Sequence, residues 1–242
     1  MPSLESYSSS LDYSYAPGYF PATECLLHTP ELARRVLLSS KAIGTEAAEK
    51  LMALCCEKGV RTEIADKALS RISGKENCFA AAVFSKTEKQ PMAGKPQVLL
   101  VNPSDCGNIG TILRTALGFG VEDVALIRPC ADVFDPRTVR ASMGAIFQLR
   151  VKTYESYEAW EMENSGRPLY PFMLQASVPM EEVLKESLPP DWTLVFGNEG
   201  SGLPAEYAER GTPVRIPSND RVDSLNLSIA AGIGIYAFAT HP

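Results

Sequence analysis

The stretch LVFGNEGSGLP, Leu194 to Pro204, runs an apolar segment straight into a glycine-rich turn that carries a carboxylate. Apolar residues without polar alternation read as a strand buried on both faces, as in a parallel sheet covered by helices. Gly197, Gly200 and Gly202 free the backbone to turn sharply at the end of that strand. Asn198 and Glu199 project from the turn. Ligands of open α/β sheets collect outside the carboxyl ends of strands. Taken alone, the stretch also fits a tight turn with a solvated Glu, so its neighbours must decide.

Working outward, apolar strand-like runs alternate with helical patterns from Gln97 onward: VLLVN, EDVALI, QLRVKTY, LYPFMLQAS, TLVFGN and PVRIPS, closed by a long apolar helix through IAAGIGIYAFA. That alternation indicates an α/β fold with a parallel sheet. Upstream lies a smaller α/β unit. Its clearest element is the amphipathic helix TEAAEKLMALCCEKG, with Ala47, Leu51, Leu54 and Cys55 on one face and Gly59 as the stop. Residues 1–20 are rich in Ser and Tyr and are expected to be loosely held. The Pro-, Gly- and Lys-containing segment Lys86 to Pro96 reads as a linker. The expected division is residues 1–88, a linker over 89–96, and 97–242.

Composition narrows the chemistry. The apolar fraction is 45%, enough for a sizeable core. No apolar run reaches the ~18 residues of a membrane span. The six cysteines include no CxxC pair, which argues for a reducing compartment, the cytoplasm, and against zinc or a disulfide framework. With only His28 and His241 to supply imidazole, no metal site is expected. Residues 1–90 hold eleven Lys/Arg against eleven Asp/Glu, and residues 91–242 hold twelve against eighteen. The net charge of −6 therefore lies in the second part, and the chain is no generic nucleic-acid sponge. Most cations there are Arg, which grips phosphate bidentately where Lys cannot.

Two more strand ends carry polar clusters. In VNPSDCGNIGTILRTALGFG, Val101 to Gly120, Ile109, Ile112, Leu113, Ala116 and Leu117 form one helical face, with Arg114 opposite. Gly110 and Gly118 lie four residues to either side of Arg114, and Asn108 is placed to cap the helix. In VRIPSNDRVDSLNLSIAAGIGIYAF, Val214 to Phe238, a strand ends at Ile216-Pro217, and Ser224-Leu225-Asn226 opens the last helix. Neither GxGxxG nor GxxxxGK[ST] occurs, so the standard dinucleotide and triphosphate loops are absent.

Together these stretches resemble the SpoU/TrmH family of RNA ribose 2′-O-methyltransferases, within the SPOUT class. Asn108-x-Gly110-x-x-x-Arg114 is similar to its first motif, Gly197-Asn198-Glu199-Gly200-x-Gly202-Leu203 to its second, and Ile216-Pro217 with Ser224-Leu225-Asn226 to its third. RASMGA, Arg140 to Ala145, resembles a further family segment. The chain departs from the third motif at Ser218, where Met is usual, and at Asp220, where Gly is usual. Residues 20–85 resemble the small RNA-binding domain that many members carry in front.

The resemblance implies a trefoil-knotted methyltransferase domain, S-adenosylmethionine as cofactor, a homodimer, and an RNA substrate, with ribosomal RNA favoured over tRNA. It implies cofactor contacts from Leu174, Gln175, Ala176, Phe196, Gly197, Asn198, Gly202, Ile216, Pro217, Ser224, Leu225 and Asn226, largely through backbone groups. Arg114, Asn108, Glu199, Ser224 and Asn226 would form the catalytic wall, with Arg114 meeting the ribose and its phosphate. Glu199 would orient Arg114 or a nearby Asn. Arg128, Arg137 and Arg140 are further candidates for RNA phosphate. A catalytically inactive RNA-binding relative, or methylation of a base nitrogen in tRNA or rRNA, is the alternative.

Overall fold

The computed structural model describes residues 5–73, 78–175, 177–219, 221 and 223–241. The chain forms two compact units: one is Met1–Thr87 with Asp132–Gln148, the other Glu88–Ala131 with Leu149–Pro242.

The first unit is built on a four-stranded sheet. Its strands are β1 (Tyr13–Pro17), β2 (Ala33–Leu38), β3 (Thr62–Ile64) and β4 (Ala80–Ser85), in the order β1-β4-β2-β3. Helices α1 (Tyr19–His28), α2 (Glu46–Glu57) and α3 (Asp66–Ser73) connect them. Thr45 caps α2 by accepting from the Ala48 N–H at 3.3 Å, and Gly59 ends that stretch at φ +68°. Ala48, Leu51 and Cys55 are the buried face, so Ala48 takes the place expected for Ala47.

The expected loose N-terminal segment is corrected in part, because Tyr13–Pro17 is an ordered strand with Ser14, Tyr15 and Ala16 fully buried. Tyr15 packs in a cluster with Leu37, Leu69, Ala81 and Val83, and its hydroxyl donates to the Glu5 carbonyl at 2.6 Å. Burying a large ring with its polar tip satisfied is enough to order a short Tyr-rich strand.

Asp132–Gln148 also joins this unit, although it lies within the expected second domain. It contains α5 (Pro136–Ala141). Phe134 and Phe147 both bury against Phe84, with ring centroids 6.4 and 5.0 Å away. The Ser14 hydroxyl donates to the Phe134 carbonyl. In RASMGA, Gly144 sits at φ +80°, and a Cβ there would lie 2.5 Å from Glu24 Cβ.

The second unit has a five-stranded parallel sheet. Its strands are β5 (Gln97–Val101), β6 (Asp123–Ile127), β7 (Arg150–Tyr154), β8 (Leu169–Pro171) and β10 (Thr193–Phe196), in the order β7-β6-β5-β10-β8. Helices α4 (Cys106–Gly118), α6 (Tyr157–Asn164), α7 (Met180–Val183) and α8 (Leu227–Ala239) accompany it. A separate parallel pair joins β9 (Val178–Pro179) to β11 (Val214–Arg215). Strands β5, β6 and β10 are buried along their whole length. One sheet face packs Leu99, Val101, Ala125, Val195, Tyr157, Trp160 and Tyr207 into a core. At ~1.5–3 kcal/mol for each large apolar side chain removed from water, this core anchors the strand ends above it.

Candidate active site

The strand order reverses direction beside β5. The chain runs outward through β6 and β7, then returns to place β10 on the other side of β5. A crevice opens at such a switch point, between the loops that leave the two central strands. Here Leu100 pairs with Phe196, so Asn102–Asp105 and Gly197–Gly202 leave the sheet side by side.

Both loops are tightly built. Asn102 adopts φ +54°, uncommon for a residue other than glycine. Its carbonyl accepts from Asn198 Nδ2 at 2.9 Å. Asn198 Oδ1 in turn accepts from the Gly200 N–H at 2.9 Å and the Ser201 N–H at 3.2 Å. Backbone bonds in both directions join Asn198 and Gly202, and Gly202 is at φ +69°. A Cβ on Gly197 would lie 2.2 Å from the Gly202 carbonyl carbon, so only glycine fits there.

Glu199 ties these loops together. Its Oε2 accepts from the Ser104 N–H at 2.9 Å and the Ser104 hydroxyl at 2.7 Å. Its Oε1 accepts from the Asp105 N–H at 3.0 Å and from Asn108 Nδ2 at 3.2 Å. Burial alone would raise this carboxyl. The hydrogen bonds from Ser104 and Asn108 outweigh it and hold the pKa at about 2. Asp105, rather than Asn108, caps α4, accepting from the Asn108 N–H at 2.7 Å. That frees the Asn108 amide to bridge, and its Oδ1 accepts from Asn226 Nδ2 at 3.1 Å. Asn226 Oδ1 caps α8 through the Ser228 and Ile229 N–H groups at 2.9 and 3.3 Å. Glu199, Asn108 and Asn226 thus form one relay across three polar clusters far apart in sequence.

Beside the relay lies a cavity of about 520 Å³. Three loops line it: Phe172–Gln175 after β8, Phe196–Leu203 after β10, and the segment from Val214 and Ile216 through Ser218 to Asp223–Leu225. Phe172 and Phe196 stack with centroids 4.6 Å apart. Gly234 of α8 makes room for them, since a Cβ there would sit 2.7 Å from Phe172 Cζ. The lining includes the carboxylates Glu199 and Asp223 and, among the described residues, no Lys or Arg.

The sequence model of the SpoU rRNA methylase family matches residues 95–236. The chain belongs to the SpoU rRNA methylase family. Among similar proteins, the 23S rRNA (guanosine(2553)-2′-O)-methyltransferase RlmP of Bacillus subtilis is 29% identical over 72% of this chain and 70% of its own. The 23S rRNA (adenosine(1067)-2′-O)-methyltransferase of Streptomyces laurentii is 29% identical over 77% and 72%. The crystal structure of an AdoMet-bound rRNA methyltransferase from Sinorhizobium meliloti superposes with a TM-score of 0.77 at 27% identity, covering 95% of this chain and 88% of that one.

In this SpoU-family chain, the expected cofactor contacts Leu174, Gln175, Phe196, Gly197, Asn198, Gly202, Ile216, Ser224 and Leu225 all line the cavity. Pro217 does not, and Asn226 is instead the cap and relay residue. Ala176 and Asp220 lie outside the described residues. Phe172, Met173 and Val214 also line the cavity. No motif singles them out, because they are ordinary apolar residues at strand ends.

Arg114 lies six residues beyond Asn108 on α4, about 9 Å along the axis. It is exposed and makes no hydrogen bond or ion pair among the described residues. Glu199 therefore orients Asn108, not Arg114. Of the other phosphate candidates, Arg128 pairs with Glu155 at 3.0 Å and Arg137 with Asp135 at 2.9 Å. Arg140 is half-buried in the first unit. Among the described residues, no group of three or more His, Cys, Asp or Glu could hold a metal ion.

Proposed function

We propose that this cavity is the active site of an enzyme that transfers a methyl group from S-adenosylmethionine to a ribose 2′-hydroxyl of ribosomal RNA. The observation that carries the reading is the Glu199–Asn108–Asn226 relay, which brings three family motifs to the rim of one cavity.

The cavity suits the cofactor in size, surface and charge. About 520 Å³ lies within the usual ~300–1,000 Å³ of small-molecule sites. Stacked Phe172 and Phe196 offer an apolar wall. Glu199 and Asp223, with no Lys or Arg among the described lining residues, favour a ligand bearing a sulfonium. When bound there, S-adenosylmethionine supplies an electrophilic methyl group.

The chain's own residues supply position and electrostatics. Gly197 and Gly202 bring bare backbone to the cavity wall. Leu225 and Ile216 add apolar surface to the lining. Asn108 and Asn226, locked by Glu199, act as positioning residues and present fixed dipoles where the ribose enters. Arg114 has its fork of donors unclaimed among the described residues, so it can grip the ribose phosphate and stabilise negative charge developing on the 2′-oxygen. A guanidinium stays protonated at neutral pH and makes a poor general base. The proton of the 2′-hydroxyl passes to solvent as the oxygen attacks, and holding the reactants in line is worth roughly 7–11 kcal/mol in favourable cases. Incubation with labelled S-adenosylmethionine and unmodified large-subunit rRNA, followed by nuclease digestion and mass spectrometry, tests the reading. Label on the sugar supports it, whereas label on a base nitrogen or none at all overturns it.

The working form proposed is a homodimer in the cytoplasm. Helix α8 is apolar on every side, yet Ile229 and Tyr236 remain 55% and 57% exposed. Phe119 packs on Tyr236 at 5.5 Å and is itself 41% exposed. A helix apolar all round is normally covered, and a second copy presenting the same face would cover it. Light scattering should give twice the chain mass for the wild type and a single chain mass for Ile229→Asp. A monomeric wild type would refute the dimer. Among the described residues, no helix is long and apolar enough to cross a membrane.

A further inference from the structure

The carboxylates that line the cavity differ in what they have left to offer a ligand. Glu199 has no acceptor capacity to spare. The Ser104 N–H and hydroxyl, the Asp105 N–H and Asn108 Nδ2 together fill its oxygens. Asp223 lines the same cavity, and its carboxylate has no hydrogen-bond or ion-pair partner among the described residues. The lining amide of Asn198 is also committed, to the Asn102 carbonyl on one side and to the Gly200 and Ser201 N–H groups on the other. Among the described lining residues, Asp223 is therefore the charged group still free to bind. It lies in the segment between β11 and α8, next to Ser224, which lines the cavity too.

A free carboxylate selects for a cation that can donate hydrogen bonds. S-adenosylmethionine has two positive centres. Its sulfonium carries no hydrogen to donate, whereas the α-ammonium of its amino-acid tail carries three. A charge-assisted N–H···O bond is roughly twice as strong as a neutral one.

We propose that Asp223 binds the α-ammonium of the cofactor and so selects for nucleosides that carry the amino-acid tail. This deepens the methyltransferase reading of the same cavity and rests on it. Methyl transfer removes the charge on sulfur and leaves the ammonium untouched. The contact is therefore equal before and after the reaction, and its loss should raise KM for the cofactor with little change in kcat.

Calorimetry on the full chain with a set of probes is the test. S-adenosylmethionine and S-adenosylhomocysteine both carry the tail. Decarboxylated S-adenosylmethionine keeps the ammonium and the sulfonium but lacks the carboxylate. 5′-Methylthioadenosine has neither ammonium nor sulfonium. Asp223→Asn keeps the shape of the side chain and removes its charge. It should weaken all the ammonium-bearing probes by about tenfold, near the low end for a hydrogen bond to a charged group because Asp223 is exposed. Binding of 5′-methylthioadenosine should stay within about twofold. Unchanged affinity for every probe overturns the assignment. So does an equal loss that includes 5′-methylthioadenosine, which would place Asp223 on the nucleoside or in the support of its loop. A loss confined to the sulfonium-bearing probes, with S-adenosylhomocysteine unaffected, overturns it in favour of a contact to sulfur. A wild type that binds none of the probes sinks the cofactor reading and this assignment together, whereas a wild type that binds them and an indifferent Asp223→Asn sinks the assignment alone.

Discussion

Replacing Glu199 with Gln changes only a few atoms but reverses the sense of half the relay. Oε1 accepts from Asp105 and Asn108, and Oε2 from Ser104 twice. An NH₂ in place of Oε1 faces two N–H donors, from Asp105 and Asn108, and one in place of Oε2 faces the Ser104 N–H, while the Ser104 hydroxyl can turn to accept. Hydrogen bonds to a charged acceptor are worth about 1.5–3 kcal/mol each. The site is partly open to solvent, which discounts that figure, so the expected loss at pH 7 is about 2–4 kcal/mol.

The loss should depend on pH. The folded carboxyl has its pKa at about 2, against ~4.3 for an unfolded Glu. Its stabilisation is therefore complete above pH ~4.3 and declines as pH falls toward 2, because the unfolded chain takes up the proton first. Urea denaturation of wild type and Glu199→Gln at several pH values is the assay. The gap between the two should be widest at pH 5–7 and narrow steadily toward pH 2. An equal gap at every pH, or none at pH 7, would show that the carboxylate charge does not hold these loops.

Gly197→Ala places a methyl group 2.2 Å from the Gly202 backbone. It should cost about 3 kcal/mol by thermal unfolding and weaken S-adenosylmethionine binding in calorimetry, since the turn must open. Wild-type cofactor affinity in that variant would contradict the placement of the cofactor. Arg114→Ala should lower kcat by about 10²–10³ with the melting temperature and cofactor affinity nearly unchanged, because the residue has no hydrogen-bond or ion-pair partner among the described residues. Near-normal turnover would remove Arg114 from the proposed mechanism.

Much of the second unit is legible in local sequence. The continuous apolar runs at β5, β6 and β10 announce strands buried on both faces, and each is wholly buried. The Gly-Asn-Glu-Gly turn announces a backbone that must approach something closely, and Gly197 packs against Gly202. Other features mislead. Tyr13–Pro17 resembles a loose tail because its strand character comes from pairing with β4, not from its own composition. Arg128 and Arg137 look like phosphate ligands until Glu155 and Asp135 are found beside them.

The sequence by itself determined most of the strands and helices of the second unit, where the chain must turn, and which polar residues cluster at strand ends. These are properties of neighbours a few positions apart, set by periodicity, glycine freedom and helix capping. Only the tertiary structure decided that Glu199 would hold Asn108, 91 positions away, and that Asn108 would meet Asn226, 118 positions away. The physical reason is strand order. The return of β10 alongside β5 brings those side chains to one edge, and no local pattern records which strand ends up beside which.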